Sequence, residues 1–250
     1  MIESFRSLFA PPRHFILIVA ALWIGLWLAE KRSERHGLTK EQLNNLMFYS
    51  LLAFILGGRL LYALVNLSAF TQSPLSLFSP NPDLFDLLGG LGAAIVTGLV
   101  YGQRQGMRLW GTLDALTPVF AILAIGLWLS HLAAGTAFGS PTSLPWGIEL
   151  WNEVRHPLQL YGLIASSLIL TWLLLPKPDQ VPGLLFLRFA ALTAGSHLFL
   201  EAFRGEGTLV FGGMRLTQIL AWAALAAALY LMEIVQRQVQ ETQPSEGSHV

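Results

Sequence analysis

Arg59 interrupts an apolar run, with Tyr62 one helical turn further on and therefore on the same face. Arg155 and His156 stand immediately before Pro157, where another apolar run begins. His197, Glu201 and Arg204 follow at spacings of four and three, which places them on one side of a helix. A guanidinium carries a rigid fork of donors that matches phosphate oxygens. Three arginines from three separated segments, with little acid beside them, therefore suit a phosphate. Structural readings stand beside this one. Arg59 could snorkel to lipid headgroups. Arg204 and Glu201 could form an i,i+3 ion pair at a helix end. His156 could help to cap the helix that Pro157 opens. His131, beside Ser130, has the setting of a hydrogen-bonded packing histidine. Arg188 reads as a snorkelling residue, and Asp83 and Asp86 as solvated acids.

These residues lie in a chain whose composition fixes the solvent. Of its 250 residues 54% are apolar and 12% charged, against roughly 25% charged in an average soluble domain. Mean hydropathy is +0.55. Lys plus Arg and Asp plus Glu are 15 each, so there is no basic surplus to displace counterions and no nucleic-acid partner is expected. Disorder needs low hydrophobicity and high net charge, and neither is present. The absence of cysteine excludes a disulfide framework and a Cys₄ zinc site, and the scattered histidines form no metal pattern.

The apolar residues fall into long runs, so the fold class is an all-α, polytopic membrane protein. Seven helices are expected, at 15–29, 43–66, 87–101, 112–135, 157–175, 184–203 and 216–235. A span needs about 20 residues. The first and third runs are short, and the first could begin near Pro12. It lacks an A-x-A-like cleavage site and is not read as a signal peptide. The third run is rich in small residues, as close helix approach requires, and Gly57-Gly58 read the same way. Residues 1–235 form one transmembrane domain, and 236–250 a polar, disordered tail.

Lys and Arg set the orientation. Lys31, Arg32, Arg35, Lys40, Arg104, Arg108, Lys177 and Arg237 fall on one side, and Arg6, Arg13, Arg155, Arg204 and Arg215 on the other. The larger group marks the cytoplasm, which puts the N-terminus outside and the C-terminus inside. Arg59, Arg155, His156 and Arg204 then all come to the outer leaflet. The loop 136–156 also faces outward, and its tryptophans suit the membrane interface.

No P-loop, HExxH or GxSxG motif occurs. A different set of segments lines up along nearly the whole chain. Arg155-His156-Pro157-Leu158-Gln159-Leu160-Tyr161 resembles the RHPxQLYE signature of the prolipoprotein diacylglyceryl transferase family. Upstream, 139–147, with Trp146, resembles that family's GxPTdLPWG stretch. Gly58-Arg59-Leu60-Leu61-Tyr62, Gly89-Gly90-Leu91, Glu201-Ala202-Phe203-Arg204-Gly205 and Leu216-Thr217-Gln218 resemble further family elements in the family's order.

The resemblance implies a multi-pass enzyme of the bacterial cytoplasmic (inner) membrane. Such an enzyme moves diacylglyceryl from phosphatidylglycerol to the lipobox cysteine thiol of a prolipoprotein signal peptide. A thioether forms, glycerol phosphate leaves, and no cofactor is implied. The nucleophile belongs to the substrate, which accommodates a chain without cysteine. On this reading Arg204 and Arg59 hold lipid phosphate. Arg155 and His156 order the outer loop, and Gln159 and Tyr161 fix the following helix against the cavity. Tyr62, Glu201 and Trp146 complete the substrate-binding set.

The chain also departs from the family pattern. Leu88 stands where the family has a histidine, Gly162 where it has a glutamate, Thr136 where it has an acid, and Thr217 where it has a glycine. The family's helix-four arginine becomes Leu127 or Trp128, depending on the register. Its asparagine becomes His131 in the second of these registers. Either His131 or His156 could replace the missing base, because imidazole changes charge near neutral pH. The alternative is a non-catalytic or differently specific phospholipid-binding membrane protein of the same fold.

Overall fold

A computed structural model describes residues 14–72, 84–150, 152–175, 181–205, 209–210 and 214–242. In chain order these form α1 (Phe15–Glu30), a 3₁₀ turn (Ser33–His36), α2 (Lys40–Val65), α3 (Leu67–Gln72), α4 (Leu87–Arg104) and α5 (Leu109–Ala134). A hairpin of β1 (Ile148–Leu150) and β2 (Glu153–Arg155) leads into α6 (Leu158–Leu174) and α7 (Leu184–Glu201). A second hairpin, β3 (Leu209–Val210) with β4 (Met214–Arg215), leads into α8 (Leu216–Thr242).

The fold is that of an all-α membrane protein. Among the described residues, Lys40–Val65, Leu109–Ala134, Leu184–Glu201 and Leu216–Gln238 are long and apolar enough to span a bilayer, while α1 and α6 are apolar but shorter. Helix α2, with 26 residues, is about 39 Å long at ~1.5 Å per residue, enough for a hydrocarbon layer of ~30 Å. Large apolar side chains lie on the outside: Trp23 is 74% exposed, Leu64 67% and Leu88 78%. Patches of this kind are a liability in water and the expected surface in lipid.

The chain divides into two compact units, Arg32–Thr112 and Met1–Lys31 with Leu113–Val250. In the first, α2 packs on α4 through glycines. A Cβ added at Gly57 would lie 2.3 Å from the Ala93 Cβ, and one at Gly90 would lie 2.9 Å from the Phe54 carbonyl oxygen. Small residues thus serve backbone approach here, as the sequence suggested. Thr39 caps α2 through a capping box, accepting from the Gln42 N–H at 3.1 Å while Gln42 Oε1 accepts from the Thr39 N–H at 3.0 Å. Asp86 is not merely solvated, because its Oδ1 accepts from the Gly89 N–H at 2.6 Å and so caps α4. Asp83 lies outside the described residues, as do Pro12 and the arginines at 6 and 13 used for orientation.

In the second unit α5 is the buried helix, with Ala115, Val119, Ala121 and Trp128 in the core. Against α1 the approach is again close: a Cβ on Gly126 would lie 2.3 Å from the Ala21 Cβ. Asp114, 2% exposed, receives the N–H groups of Gly183 at 2.6 Å and Phe186 at 2.8 Å. It thereby satisfies the open first turn of α7 and compensates its own burial. Helix α8 continues past Val235 to Thr242, where a disordered tail was expected from Gln236. The added residues include helix formers, and Arg237 pairs with Glu233 one turn back. Residues 243–250 lie outside the described set.

Candidate functional site

The loop 136–156, which the sequence marks as interfacial, is folded back as a small woven sheet. Gly135 (φ 69) and Ala137 (φ 54) adopt left-handed backbone and turn the chain out of α5. Residues 139–142 then run between β2 and the end of α7. On one side the Gly139 N–H donates to the His156 carbonyl at 3.1 Å, and the Thr142 N–H to that of Val154 at 2.8 Å. On the other the Ser140 N–H donates to the Phe203 carbonyl at 2.8 Å, and the Gly205 N–H to that of Phe138 at 3.2 Å. Glycine is required where these strands cross. A Cβ on Gly139 would lie 2.5 Å from His156 Cβ, and one on Gly205 would lie 2.7 Å from the Gly139 carbonyl oxygen. The weave brings the Arg155-His156 pair and Arg204 to opposite sides of one glycine.

Arg204 is held at one edge. Its Nε lies 3.0 Å from Glu201 Oε1, and the Glu201 side chain is 3% exposed against 25% for Arg204. The contact is an ion pair whose N–H does not aim at the oxygen with hydrogen-bond geometry. Among the described residues nothing accepts from the terminal nitrogens of Arg204, so its fork remains available. Arg215 braces this corner from β4, donating through Nη1 to the Glu201 carbonyl and through Nη2 to the Arg204 carbonyl, the latter at 2.8 Å. A cation here satisfies the orphan carbonyls at the end of α7. The sequence marked Arg215 only as an outer charge. Nothing in its spacing points to Glu201, because the intervening hairpin folds it back.

The second half of the site is aromatic. Trp146 Nε1–H donates to the Tyr161 hydroxyl at 2.8 Å, and that hydroxyl lies 3.3 Å from His156 Nδ1. His156 also packs edge-on to Phe203, with ring centroids 5.1 Å apart. The helix-capping reading of His156 is not realised by its side chain, which turns to Tyr161 instead. Arg155 pairs with Glu153 at 2.5 Å and lies 5.0 Å over the Phe138 ring. Both contacts tie it to the loop.

Behind these residues lies a polar seam. Gln159, 1% exposed, donates through Nε2 to the Thr136 carbonyl at 2.7 Å, and Thr136 Oγ1 is 2.9 Å from His131 Nδ1. Trp128 lies between two imidazoles, with centroids 6.0 Å from His131 and 5.7 Å from His197. Both imidazoles are within electrostatic reach of Arg204. Eight of the ten residues singled out by the sequence therefore belong to this unit: His131, Trp146, Arg155, His156, Gln159, Tyr161, Glu201 and Arg204. The other two, Arg59 and Tyr62, belong to the unit Arg32–Thr112. There Arg59 Nη1 donates to the Leu84 carbonyl at 2.6 Å, and Tyr62 meets Phe70 edge-on at 6.2 Å.

A sequence model of prolipoprotein diacylglyceryl transferases matches residues 13–234, which takes in every residue just described. The chain belongs to the prolipoprotein diacylglyceryl transferase family. Curated relatives agree along their length. It is similar to the phosphatidylglycerol–prolipoprotein diacylglyceryl transferase of Methylococcus capsulatus, 29% identical over 231 residues and 87% of each chain. The enzymes of the same name from Methylobacillus flagellatus (28% identical over 245 residues, 90% of each chain) and Vibrio vulnificus (30% over 224 residues, 83% of this chain and 80% of the relative) are also similar.

The departures from the family pattern now have settings. Leu88 is on the exposed apolar surface. Leu127 is 42% exposed and Trp128 only 6%. Trp128 fills the space over Gly162, where an added Cβ would lie 2.1 Å from the indole. Two of the departures are thus one packing solution: the large ring at Trp128 requires the absent side chain at Gly162. Thr136, in the acid's place, makes the contact to His131.

Proposed function

We propose that this protein is a phosphatidylglycerol–prolipoprotein diacylglyceryl transferase. The names of its relatives support the reaction, and the observation that carries it is the half-used guanidinium of Arg204. A buried carboxylate holds one edge and leaves the terminal nitrogens for an anion. The acceptor's cysteine sulfur attacks the glyceryl carbon that bears the phosphate ester, so a C–S bond forms. The C–O bond breaks with its electron pair going to the phosphate oxygen, and glycerol phosphate leaves. Arg204 stabilises the charge that grows on that oxygen. The thiol proton passes to an imidazole, His131 or His156. Arg155 orders the loop, Gln159 and Tyr161 hold α6 against it, Trp146 lies at the lipid interface, and Glu201 fixes Arg204. Arg59 is assigned a lipid phosphate in its own unit, with Tyr62 beside it.

The same reading places the protein in the bacterial cytoplasmic membrane with seven spans. The N-terminus and the loop 136–156 face outward, and the end of α8 faces the cytoplasm. The acceptor's cysteine then sits at the outward end of its signal peptide, level with the site. The test is incubation of purified, folded protein with phosphatidylglycerol and a lipobox peptide, read by mass spectrometry. A peptide carrying a thioether-linked diacylglyceryl group is expected. An unmodified peptide from folded protein would contradict the assignment.

A further inference from the structure

The aromatic half of the site joins an indole, a phenol and an imidazole in one hydrogen-bonded row. An indole nitrogen can only donate, so in the Trp146–Tyr161 contact the phenol oxygen is the acceptor. The hydroxyl keeps one proton and a second lone pair, and the one other partner it meets among the described residues is His156 Nδ1 at 3.3 Å. With the phenolic proton on that contact, the chain of donors runs from Trp146 to Tyr161 to His156. A neutral imidazole that accepts at Nδ1 carries its proton on Nε2. His156 Nε2 meets no protein partner among the described residues, and it is not sealed in the interior. His156 and Arg204 flank the same residue, Gly139, through backbone bonds and a bridge.

We propose that the Trp146–Tyr161 relay sets the tautomer of His156, making it a hydrogen-bond donor through Nε2–H to an anionic substrate oxygen beside Arg204. This role rests on the transferase reading and narrows it. A histidine whose lone pair is already used by Tyr161 does not take the thiol proton. His131 does, with its Nδ1 held by Thr136 and its other nitrogen left to act. Trp146 and Tyr161 are then positioning residues that act through His156.

Two measurements test this. The first needs no turnover. Nitrogen-15 NMR of histidine-labelled protein in nanodiscs reads which nitrogen of His156 carries the proton, with His156→Gln used to assign the signal. Wild type is expected to show protonated Nε2 and lone-pair Nδ1, and Tyr161→Phe to mix the tautomers. Protonated Nδ1 in the wild type would overturn the relay, whether or not the protein is a transferase.

The second measurement compares two amides under the transfer assay. Glutamine places an N–H where Nε2 stood, and asparagine places one where Nδ1 stood. His156→Gln keeps that donor and is expected within ~10-fold of wild type, and His156→Asn, which does not, clearly below it. In His131→Gln thioether formation is expected to collapse while phosphatidylglycerol still co-purifies. Equal, complete loss in His156→Gln and His156→Asn, from folded protein, with His131→Gln still active, would make His156 the base and overturn the proposal. A wild type that makes no thioether would refute the transferase reading alone and leave the NMR result standing.

Discussion

The two units use glycine and arginine in opposite ways. In Arg32–Thr112, Gly57 and Gly90 bring one helix against another, and Arg59 donates to a backbone carbonyl at Leu84. In the other unit, Gly139 and Gly205 let irregular strands cross at the mouth of a helix. Arg204 there is gripped at Nε by a buried acid, with its terminal nitrogens left over. The first arrangement builds a helix pair. The second builds a rigid frame around a cation whose fork the fold does not use. A guanidinium gripped at Nε by a buried acid keeps its terminal nitrogens for an anion, and among the described residues of this unit Arg204 has that arrangement.

The contrast can be broken in order of expected effect. Glu201→Ala leaves Arg204 without its buried partner. Losing one member of such a pair costs about 3 kcal/mol, so equilibrium unfolding in mixed detergent should show the largest loss of this series. A change within error would mean that Glu201 does not hold the site. Gly162→Ala drives a methyl into Trp128 and should cost about 2 kcal/mol as an overpacking change. Combining it with Trp128→Leu should recover most of that loss, and simple additivity of the two changes would deny that they form one packing solution. Gly57→Ala meets Ala93 in the helix pair and should cost about 1–2 kcal/mol. Unchanged stability there would mean that the two helices part easily. Thr39→Ala removes the α2 cap for about 1 kcal/mol, readable as a small drop in thermal midpoint.

Much of the first unit was legible in the sequence because its signals are local. Apolar runs give helices and small residues give contact faces, while the Thr39–Gln42 capping box starts α2 at Lys40, ahead of the expected 43. The family signature of the second unit was equally plain in the run from Arg155 to Tyr161. Its geometry was not. The bonds that matter join Gly139 to His156, Ser140 to Phe203 and Arg215 to Glu201, all across folded-back loops with no periodicity. The same holds for Asp114, whose two acceptor bonds reach a turn far along the chain. Spacing placed Glu201 and Arg204 on one face but could not say which of the arginine's nitrogens the acid takes.

The central claim is that the unused fork of Arg204 carries the charge that develops on the departing phosphate. The direct test is kcat/KM for thioether formation in Arg204→Ala, with folding checked and phosphatidylglycerol binding measured on the same sample. Loss of one preorganised donor to developing charge predicts a fall of ~10²–10³-fold, with most of it in kcat. A folded Arg204→Ala protein that transfers diacylglyceryl at the wild-type rate would contradict the account.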